Sequence, residues 1–358
     1  MEYAVIMSGG VGSRFWPKSR KNMPKQFLRT VGAKTMIQTT VDRISNVIPM
    51  DRIYIVTNEQ YINTLETQIP EILSENILIE PTNRDTATCI GLAAVHLLKK
   101  DPEAVMVVLP SDHLIFDTDD FVDTIMDAIT IAKETETLVT MGIKPTRPET
   151  AYGYIEVGKP LKEYELTPVY RAKRFIEKPN KVKALELVNK GTNLWNSGMF
   201  VWKASVLMEE IKRFLPELYE SLMQISAAIG TKDEGRILDE IYHEIDGISI
   251  DYGIMERSTK VLVIEADFKW DDIGGWTALE RFFDKDENGN IVKALNSKID
   301  TRDSIIFGEE RLIATIGVNN LIIVDTGDVV MICDKSRDQD IKELLKIIVE
   351  RQELTKFV

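Results

Sequence analysis

The chain has 358 residues, of which 44% are hydrophobic and 28% are charged, and its formal net charge is −13 at pH 7. This length can bury a full α/β core and still carry a small second unit. The acidic balance argues against a nucleic-acid partner, and no apolar run reaches the roughly 18 residues of a membrane span. With no secretory leader pattern at its start, we expect a cytoplasmic protein without a membrane partner.

The first predicted element is a buried strand at residues 3–7, and a glycine-rich turn follows it directly. Gly9, Gly10 and Gly12 permit positive φ and allow the main chain to approach a ligand closely, so successive N–H groups can point at phosphate oxygens. Residues 1–34 also contain seven Lys or Arg against one acid. Arg14 and Lys25 can add charge-assisted bonds to the same oxygens, which predicts a polyphosphate site. An ordinary strand-to-loop turn beside a solvated basic loop is the alternative.

Further strands alternate with helices along the next 140 residues. The apolar runs predict strands at 53–57, 77–80, 105–109 and 138–143, and the helical spacing predicts helices at 36–47, 59–69, 87–100 and 121–133. Such alternation indicates an α/β fold with a Rossmann-like, mixed and mainly parallel sheet that binds ligands at the carboxyl ends of its strands.

The pattern changes beyond residue 145. An aromatic hairpin-like piece is predicted at 152–157, strands are predicted at 171–177, 199–202 and 260–270, and helices are predicted between 204 and 245. Short β-rich runs follow at 304–307, 312–316, 321–324 and 329–333, and then a helix at 338–352. We therefore predict two domains, at residues 1–286 and 287–358, the second being a small β-rich unit that ends in a helix.

Two acidic segments at strand ends could hold a metal ion. Asp112 follows the strand 105–109, which places it at the same sheet edge as the glycine-rich turn. A carboxylate beside a triphosphate requires a hard cation between them, and Mg²⁺ typically takes one or two carboxylates plus substrate phosphates. The second segment contains Asp271 and Asp272, between which spacing alone does not choose. Helix capping is the alternative role for all three acids.

The segment from Met7 to Gln26 resembles the signature of sugar-1-phosphate nucleotidylyltransferases. Its Trp-Pro-x-Ser and Pro-Lys-Gln variants resemble the mannose-1-phosphate guanylyltransferase branch, and similar segments run from about residue 3 to 283. The resemblance implies the nucleotide-diphospho-sugar transferase fold, GTP and mannose 1-phosphate as partners, and Mg²⁺ as cofactor. The bifunctional members of this branch carry an additional isomerase domain. This sequence shows no His-rich, cupin-like motif of that kind, and we expect one activity.

The resemblance also implies roles for individual residues. It assigns catalysis to Arg14, Lys25, Asp112 and Asp272, and it makes Asp112 and Asp272 the metal ligands. It places the nucleotide at Ser8, Gly9, Gly10, Gly12, Ser13, Arg14, Lys25, Arg84, Thr86, Leu109, Ser111 and Asp112. It places the sugar phosphate at Gly153, Glu177, Lys178 and Asn196, although a Glu-Lys pair is by itself usually a solvated turn.

These residues predict direct attack of a sugar phosphate on the α-phosphate of a nucleoside triphosphate. Two alternatives stay open: a glucose-1-phosphate transferase that uses UTP or dTTP, and a non-catalytic sensor of nucleotide sugars. The sequence lacks the fingerprint of a nicotinamide dehydrogenase, which argues against that activity. We expect a homodimer.

Overall fold

A computed structural model describes residues 1–161 and 167–358. The described chain divides into two compact units, each of which is made of two segments. The sheet unit comprises Met1–Gly9 and Gln38–Asp271, and the loop unit comprises Gly10–Ile37 and Asp272–Val358. The domain boundary that the sequence suggests between residues 286 and 287 stays a prediction.

The sheet unit contains the α/β elements. Its strands are β1 (Glu2–Ser8), β2 (Ile53–Asn58), β3 (Ile77–Glu80), β4 (Val105–Pro110), β5 (Leu114–Ile115), β6 (Leu138–Ile143), β7 (Tyr154–Pro160), β8 (Val169–Ile176), β9 (Asn193–Lys203), β10 (Val261–Ala266) and β11 (Trp270–Asp271). Its helices are α1 (Met36–Ile44), whose first two residues belong to the loop unit, α2 (Ile62–Gln68), α3 (Asp85–Lys100), α4 (Thr118–Glu134), α5 (Lys181–Lys190), α6 (Ala204–Phe214), α7 (Pro216–Ala228) and α8 (Glu234–Glu244).

Nine of these strands form one sheet in the order β3-β2-β1-β4-β9-β6-β10-β8-β7. The pairs β1–β2, β1–β4, β2–β3 and β6–β10 are parallel, whereas β8 and β9 run against their neighbours. The predicted mixed, mainly parallel sheet is therefore confirmed. The short strands β5 and β11 form a separate antiparallel ribbon.

Both faces of the sheet are buried at its centre, as a parallel sheet covered by helices requires. Along β1, Tyr3 and Val5 join a core cluster with residues of α3, α6 and α7. Ala4 and Ile6 are equally buried, and alternation along the strand turns them to the opposite face. The near-continuous apolar run at the start of the sequence follows from this two-sided burial.

The structure differs from the sequence-based expectations at several elements of the sheet unit. The run 260–270 is not one strand, because β10 ends at Ala266 and β11 begins at Trp270. The strand expected at 199–202 is the end of a longer strand, β9. Helix α5 was not predicted; Asn180 caps its start by accepting from Lys183 N at 2.9 Å, and Gly191 ends it with φ +67°.

The loop unit begins with the rest of the glycine-rich segment and ends in a stack of short strands. These are β12 (Ile291–Lys293), β13 (Asn296–Ile299), β14 (Ile305–Phe307), β15 (Ile313–Ile316), β16 (Leu321–Asp325) and β17 (Val330–Asp334), followed by α9 (Ile341–Val349). The strands β12, β14 and β16 are parallel neighbours, and β13 pairs in parallel with β15. Strands β12 to β16 therefore alternate between two sheets, as in a coil, and β17 pairs antiparallel with β16. Ile291, Ile305 and Ile322 stack in register at its core and are fully buried.

Among the described residues, no helix combines the length and apolar character that crossing a membrane requires. Both cysteines are free thiols; Cys89 is buried, whereas Cys333 is half-buried.

Candidate active site

The first part of the site is an edge of the sheet unit where β1 and β4 end. These strands are parallel neighbours that pair Met7 with Pro110, and Ser111 N donates to Met7 O at 3.1 Å. Ser8 and Gly9 follow Met7, and Asp112 follows Ser111. The sequence-predicted residues Ser8, Gly9, Leu109, Ser111 and Asp112 are thus brought to one edge.

A buried carboxyl group lies against Gly9. A Cβ atom at Gly9 would lie 3.1 Å from Glu80 Oε2, so a side chain there would displace Glu80. The Tyr242 hydroxyl donates to Glu80, and burial raises the pKa of Glu80 to about 7. Sequence reasoning did not identify Glu80, because an acid at a strand end gives no signal of burial by itself.

In the loop unit, the glycine-rich segment continues as a tight turn. Gly12 has φ +65°, and Phe15 N donates to Gly12 O at 3.0 Å, which begins a helical turn at Ser13. A Cβ atom at Gly12 would overlap Lys25 Cβ, and Lys25 N donates to Val11 O at 3.2 Å. Glycine is required at position 12 both by the left-handed conformation and by the close passage of Lys25.

The same unit brings two predicted cations to one predicted metal ligand. Lys25 is buried, and its Nζ donates to the main-chain carbonyl of Asp272 at 2.5 Å. A Cβ atom at Gly274 would lie 3.0 Å from Arg14 Nη1 and 3.4 and 3.5 Å from the carboxylate oxygens of Asp272. The guanidinium of Arg14 and the carboxylate of Asp272 therefore lie beside the same point of the chain. A Cβ atom at Gly10 would have no atom of the described residues within 4 Å, so the main chain at Gly10 is open to a ligand.

Aromatic side chains hold this turn in place. Trp276 Nε1 donates to Trp16 O at 3.0 Å, and the ring of Trp276 packs against Phe15 at 5.3 Å and Phe307 at 5.2 Å between centroids. Trp276 is almost fully buried. The β-stack of the loop unit thus supports the residues that flank Arg14.

Three of the four residues predicted to hold the sugar phosphate meet in the sheet unit. Asn196 N donates to Gly153 O at 2.8 Å, and Asn196 Nδ2 lies 3.4 Å from Glu177 Oε1. A Cβ atom at Gly153 would overlap the carboxylate of Glu177, so only glycine leaves room for that group. Lys178 follows Glu177 and is exposed, with φ +45°.

Asp251 joins this cluster, although sequence reasoning did not identify it as a site residue. Its Oδ1 accepts from Asn196 Nδ2 at 2.7 Å, and it lies in a single π-helical turn at Asp251–Met255. Such turns are often found at functional sites, and they are not detectable from periodicity. Burial and the nearby charge of Asp251 raise the pKa of Glu177 to about 7, and burial also raises the pKa of Asp251.

Arg84 and Thr86, predicted to contact the nucleotide, have main-chain partners in the sheet unit. Arg84 Nε donates to Tyr242 O at 3.1 Å, and its Nη2 donates to His243 O at the end of α8. Thr86 Oγ1 accepts from Ile250 N at 2.8 Å. These bonds tie the start of α3 to the segment that leads into Asp251, and the predicted nucleotide contacts stay predictions.

The two adjacent acids at the end of β11 differ in their surroundings. Asp271 is buried, and its Oδ2 lies 3.2 Å from Arg147 Nη2 in an ion pair. Asp272 lies instead beside Arg14 in the loop unit. The ion pair gives Asp271 a structural partner, which sequence spacing could not assign.

Comparison with known proteins agrees with this arrangement. The model of the nucleotidyl transferase family matches residues 3–289, which is most of the chain. The chain belongs to the nucleotidyl transferase family. A second model, that of a MannoseP isomerase/GMP-like beta-helix domain, matches residues 296–348, where the short strands alternate between two sheets.

Individual relatives align over almost the whole chain. Mannose-1-phosphate guanylyltransferase 2 of Escherichia coli O157:H7 is 37% identical over 363 residues, which cover 99% of this chain and 75% of that protein. Mannose-1-phosphate guanylyltransferase of Klebsiella pneumoniae is 37% identical over 97% of this chain and 74% of its own length. A solved structure from Thermus thermophilus, described as a mannose-1-phosphate geranyltransferase, is 33% identical with a TM-score of 0.87 and covers 98% of this chain and 99% of its own.

Proposed function

We propose that this chain transfers the GMP group of GTP to α-D-mannose 1-phosphate, which gives GDP-mannose and pyrophosphate. The observation that carries the proposal is the convergence of Arg14, Lys25 and Asp272 at the glycine-rich turn. Fixed cations beside a carboxylate suit a triphosphate that is held together with a divalent metal ion. Membership of the family and the names of the relatives support the choice of reaction and of substrates.

The proposed reaction is a direct displacement. A phosphate oxygen of mannose 1-phosphate attacks the α-phosphorus of GTP, and the bond from that phosphorus to the bridging oxygen breaks as pyrophosphate leaves. Arg14 and Lys25 would hold the leaving phosphates and stabilise the charge that develops on them. The guanine would lie against the main chain near Ser8 and Leu109, and the reaction needs no covalent enzyme intermediate.

The donor atoms fit a magnesium ion. Asp112 and Asp272 offer carboxylate oxygens, and the described residues contain no cluster of three or more His, Cys, Asp or Glu with metal-binding geometry. Mg²⁺ commonly binds through one or two carboxylates plus substrate phosphates and water, and such a site needs no larger protein cage. When bound, the ion would neutralise charge on the phosphates. We propose Asp112 and Asp272 as its protein ligands.

The acceptor would lie in the sheet unit. Glu177, Asn196 and the main chain at Gly153 present hydrogen-bonding groups to sugar hydroxyls, and the exposed Lys178 presents a cation to the sugar phosphate. These residues come from three separate segments, β7, β8 and β9 with their flanking turns. A cytoplasmic location and a homodimer remain parts of this proposal.

The test is a pyrophosphate-release assay that crosses GTP, ATP, UTP and dTTP with mannose 1-phosphate and glucose 1-phosphate. We expect the highest kcat/KM for GTP with mannose 1-phosphate. A preference for UTP or dTTP with glucose 1-phosphate would contradict the substrate assignment and leave the family unchanged. Binding without turnover of any pair would favour a sensor.

A further inference from the structure

One side chain of the sheet unit contacts three residues that each directly precede a proposed site residue. Arg147 lies in the loop between β6 and β7, and it contacts Tyr152, Trp195 and Asp271. The residues that follow these three in the sequence are Gly153, Asn196 and Asp272. Two of these contacts therefore lie directly before residues of the proposed sugar-phosphate site.

The contacts of Arg147 use Nε, Nη2 and the face of its guanidinium group. Its Nη2 donates to Tyr152 Oη and to Asp271 Oδ2, both at 3.2 Å, and its Nε donates to Glu149 Oε2 at 3.2 Å. The guanidinium carbon lies 5.0 Å from the ring centroid of Trp195 and 5.7 Å from that of Tyr152. A planar, delocalised cation can stack on aromatic rings and donate in its own plane at the same time, which lysine cannot do.

The aromatic rings continue this cluster toward Asp112. Tyr152 packs edge-on against Trp195 at 5.2 Å and against Trp270 at 4.9 Å. Trp270 Nε1 donates to His113 Nδ1 at 3.1 Å, and His113 directly follows Asp112. We name Arg147, Tyr152, Trp195, Trp270 and Asp271 the Arg147 cluster.

The pairing of β5 with β11 fixes the main chain at Asp271. Asp271 lies opposite Leu114 in this ribbon, and its carboxylate pairs with Arg147. The ribbon ends at Asp271, so Asp272 is the first residue beyond it. Pairing with Arg147 also neutralises the charge of Asp271, which would otherwise compete with its neighbour for a cation.

We propose that Arg147, held by Asp271, is a positioning residue that fixes the sugar-phosphate site through Tyr152 and Trp195. This role rests on the proposed function, because it concerns the same substrates. Arg147 touches no reacting atom in this scheme. Losing these contacts would shift residues of separate segments together, and small displacements can cost on the order of ten- to a hundredfold in rate.

The test compares Arg147→Lys, Arg147→Met, Asp271→Asn and the double variant Arg147→Met/Asp271→Asn. Arg236→Met is the matched control, because Arg236 forms an exposed ion pair with Asp233 on the same unit. For each protein, KM is measured separately for the sugar 1-phosphate and the nucleotide, sugar 1-phosphate binding is measured by calorimetry, and Tm is recorded. The substrates are the pair that the wild type turns over fastest, so a different substrate preference would count against the proposed function alone.

For positioning, we expect Asp271→Asn and Arg147→Met to weaken sugar 1-phosphate binding and raise its KM about tenfold, with the nucleotide KM within about twofold. Arg147→Lys should recover part of the loss, and the double variant should resemble Arg147→Met because the two residues act as one unit. A fall in Tm with no change in either KM would show that Arg147 and Asp271 form only a structural ion pair, which would overturn the proposal. Equal rises in both KM values, or additive losses in the double variant, would also overturn the proposal.

Discussion

The side-chain amide of Asn196 donates to Asp251 at 2.7 Å and lies 3.4 Å from Glu177 on its other side. Its Oδ1 accepts from Gly198 N at 3.2 Å, so the amide has one defined orientation. Two carboxyl groups are held together by this single amide in partly buried surroundings. Burial and their mutual repulsion raise the pKa of Glu177 to about 7.

This cluster predicts a pH dependence of stability. Because the folded pKa of Glu177 lies above its ordinary value of 4.5, the native state binds its proton more tightly than the unfolded state does. That contribution to stability is complete below pH 4.5 and is lost as the pH rises through about 7. Glu177→Gln lacks this titrating group and so lacks the loss. We therefore expect the free energy of unfolding of Glu177→Gln, relative to that of the wild type, to rise by about 1–3 kcal/mol from pH 5 to pH 8.

Urea unfolding at both pH values measures this difference. The control is Glu220→Gln, at an exposed position on α7. Its free energy of unfolding relative to the wild type should be nearly the same at pH 5 and pH 8. Glu80, whose pKa is also raised to about 7, changes stability in the same direction and is present in every protein compared. An unchanged or opposite trend for Glu177→Gln would contradict the proposed environment of Glu177.

Lys178 gives a second prediction, which concerns binding of the acceptor. Lys178→Ala should raise the KM for mannose 1-phosphate by about tenfold with a smaller effect on the KM for GTP, because it removes a phosphate contact. Lys183→Ala on the neighbouring helix α5 is the control, since Lys183 is exposed and pairs with Glu186. Steady-state kinetics with each substrate varied in turn checks the prediction. Equal damage to both KM values would show that Lys178 is misassigned.

Tyr242 gives a third prediction, which concerns stability beside Gly9. Tyr242 is fully buried, and its hydroxyl donates to buried Glu80. Tyr242→Phe would remove the hydroxyl donor from that buried carboxyl, so we expect a loss of about 1–3 kcal/mol in the free energy of unfolding. Tyr219→Phe, at a half-buried position on α7, should cost much less. Denaturant titrations that gave the same small change for both variants would refute this assignment.

The proposed metal ligands give a fourth prediction. Asp112→Asn and Asp272→Asn should each lower kcat by at least about 10² to 10³, because each removes charge stabilisation at the phosphates. Asp271→Asn should cost far less, since the carboxylate of Asp271 is paired with Arg147. Turnover of folded variants over a Mg²⁺ titration checks this order, together with binding of Mn²⁺ by calorimetry. Near wild-type turnover in Asp272→Asn would contradict the ligand assignment.

The sequence predicted the central sheet because its signals are local. The buried strands around Val5, Ile55 and Val107 are short apolar runs separated by amphipathic helices, and each run needs two covered faces. The turn at Gly12 was also predictable, since glycine permits the left-handed conformation found there and the nearby prolines exclude a regular helix. Helix α5 was missed although Asn180 and Gly191 mark its ends, because its apolar stripe is short.

The remaining features depend on contacts between distant segments. The position of Asp251 beside Asn196 joins residues 55 positions apart, and the pair Arg147–Asp271 joins residues 124 positions apart. A single sequence carries no local signal for such pairs. Arg84 was identified from a sequence motif, but its hydrogen-bond partners were not. They are main-chain carbonyls at the end of α8, far outside that motif.

The proposed reaction is tested most directly by ³¹P NMR of GTP, mannose 1-phosphate and Mg²⁺ mixed with the purified protein. We predict that GDP-mannose and pyrophosphate appear in equal amounts as both substrates disappear, and that Asp272→Asn forms neither at a comparable rate. The contrary result is GTP and mannose 1-phosphate left unchanged by a folded wild-type protein that converts another nucleotide and sugar phosphate.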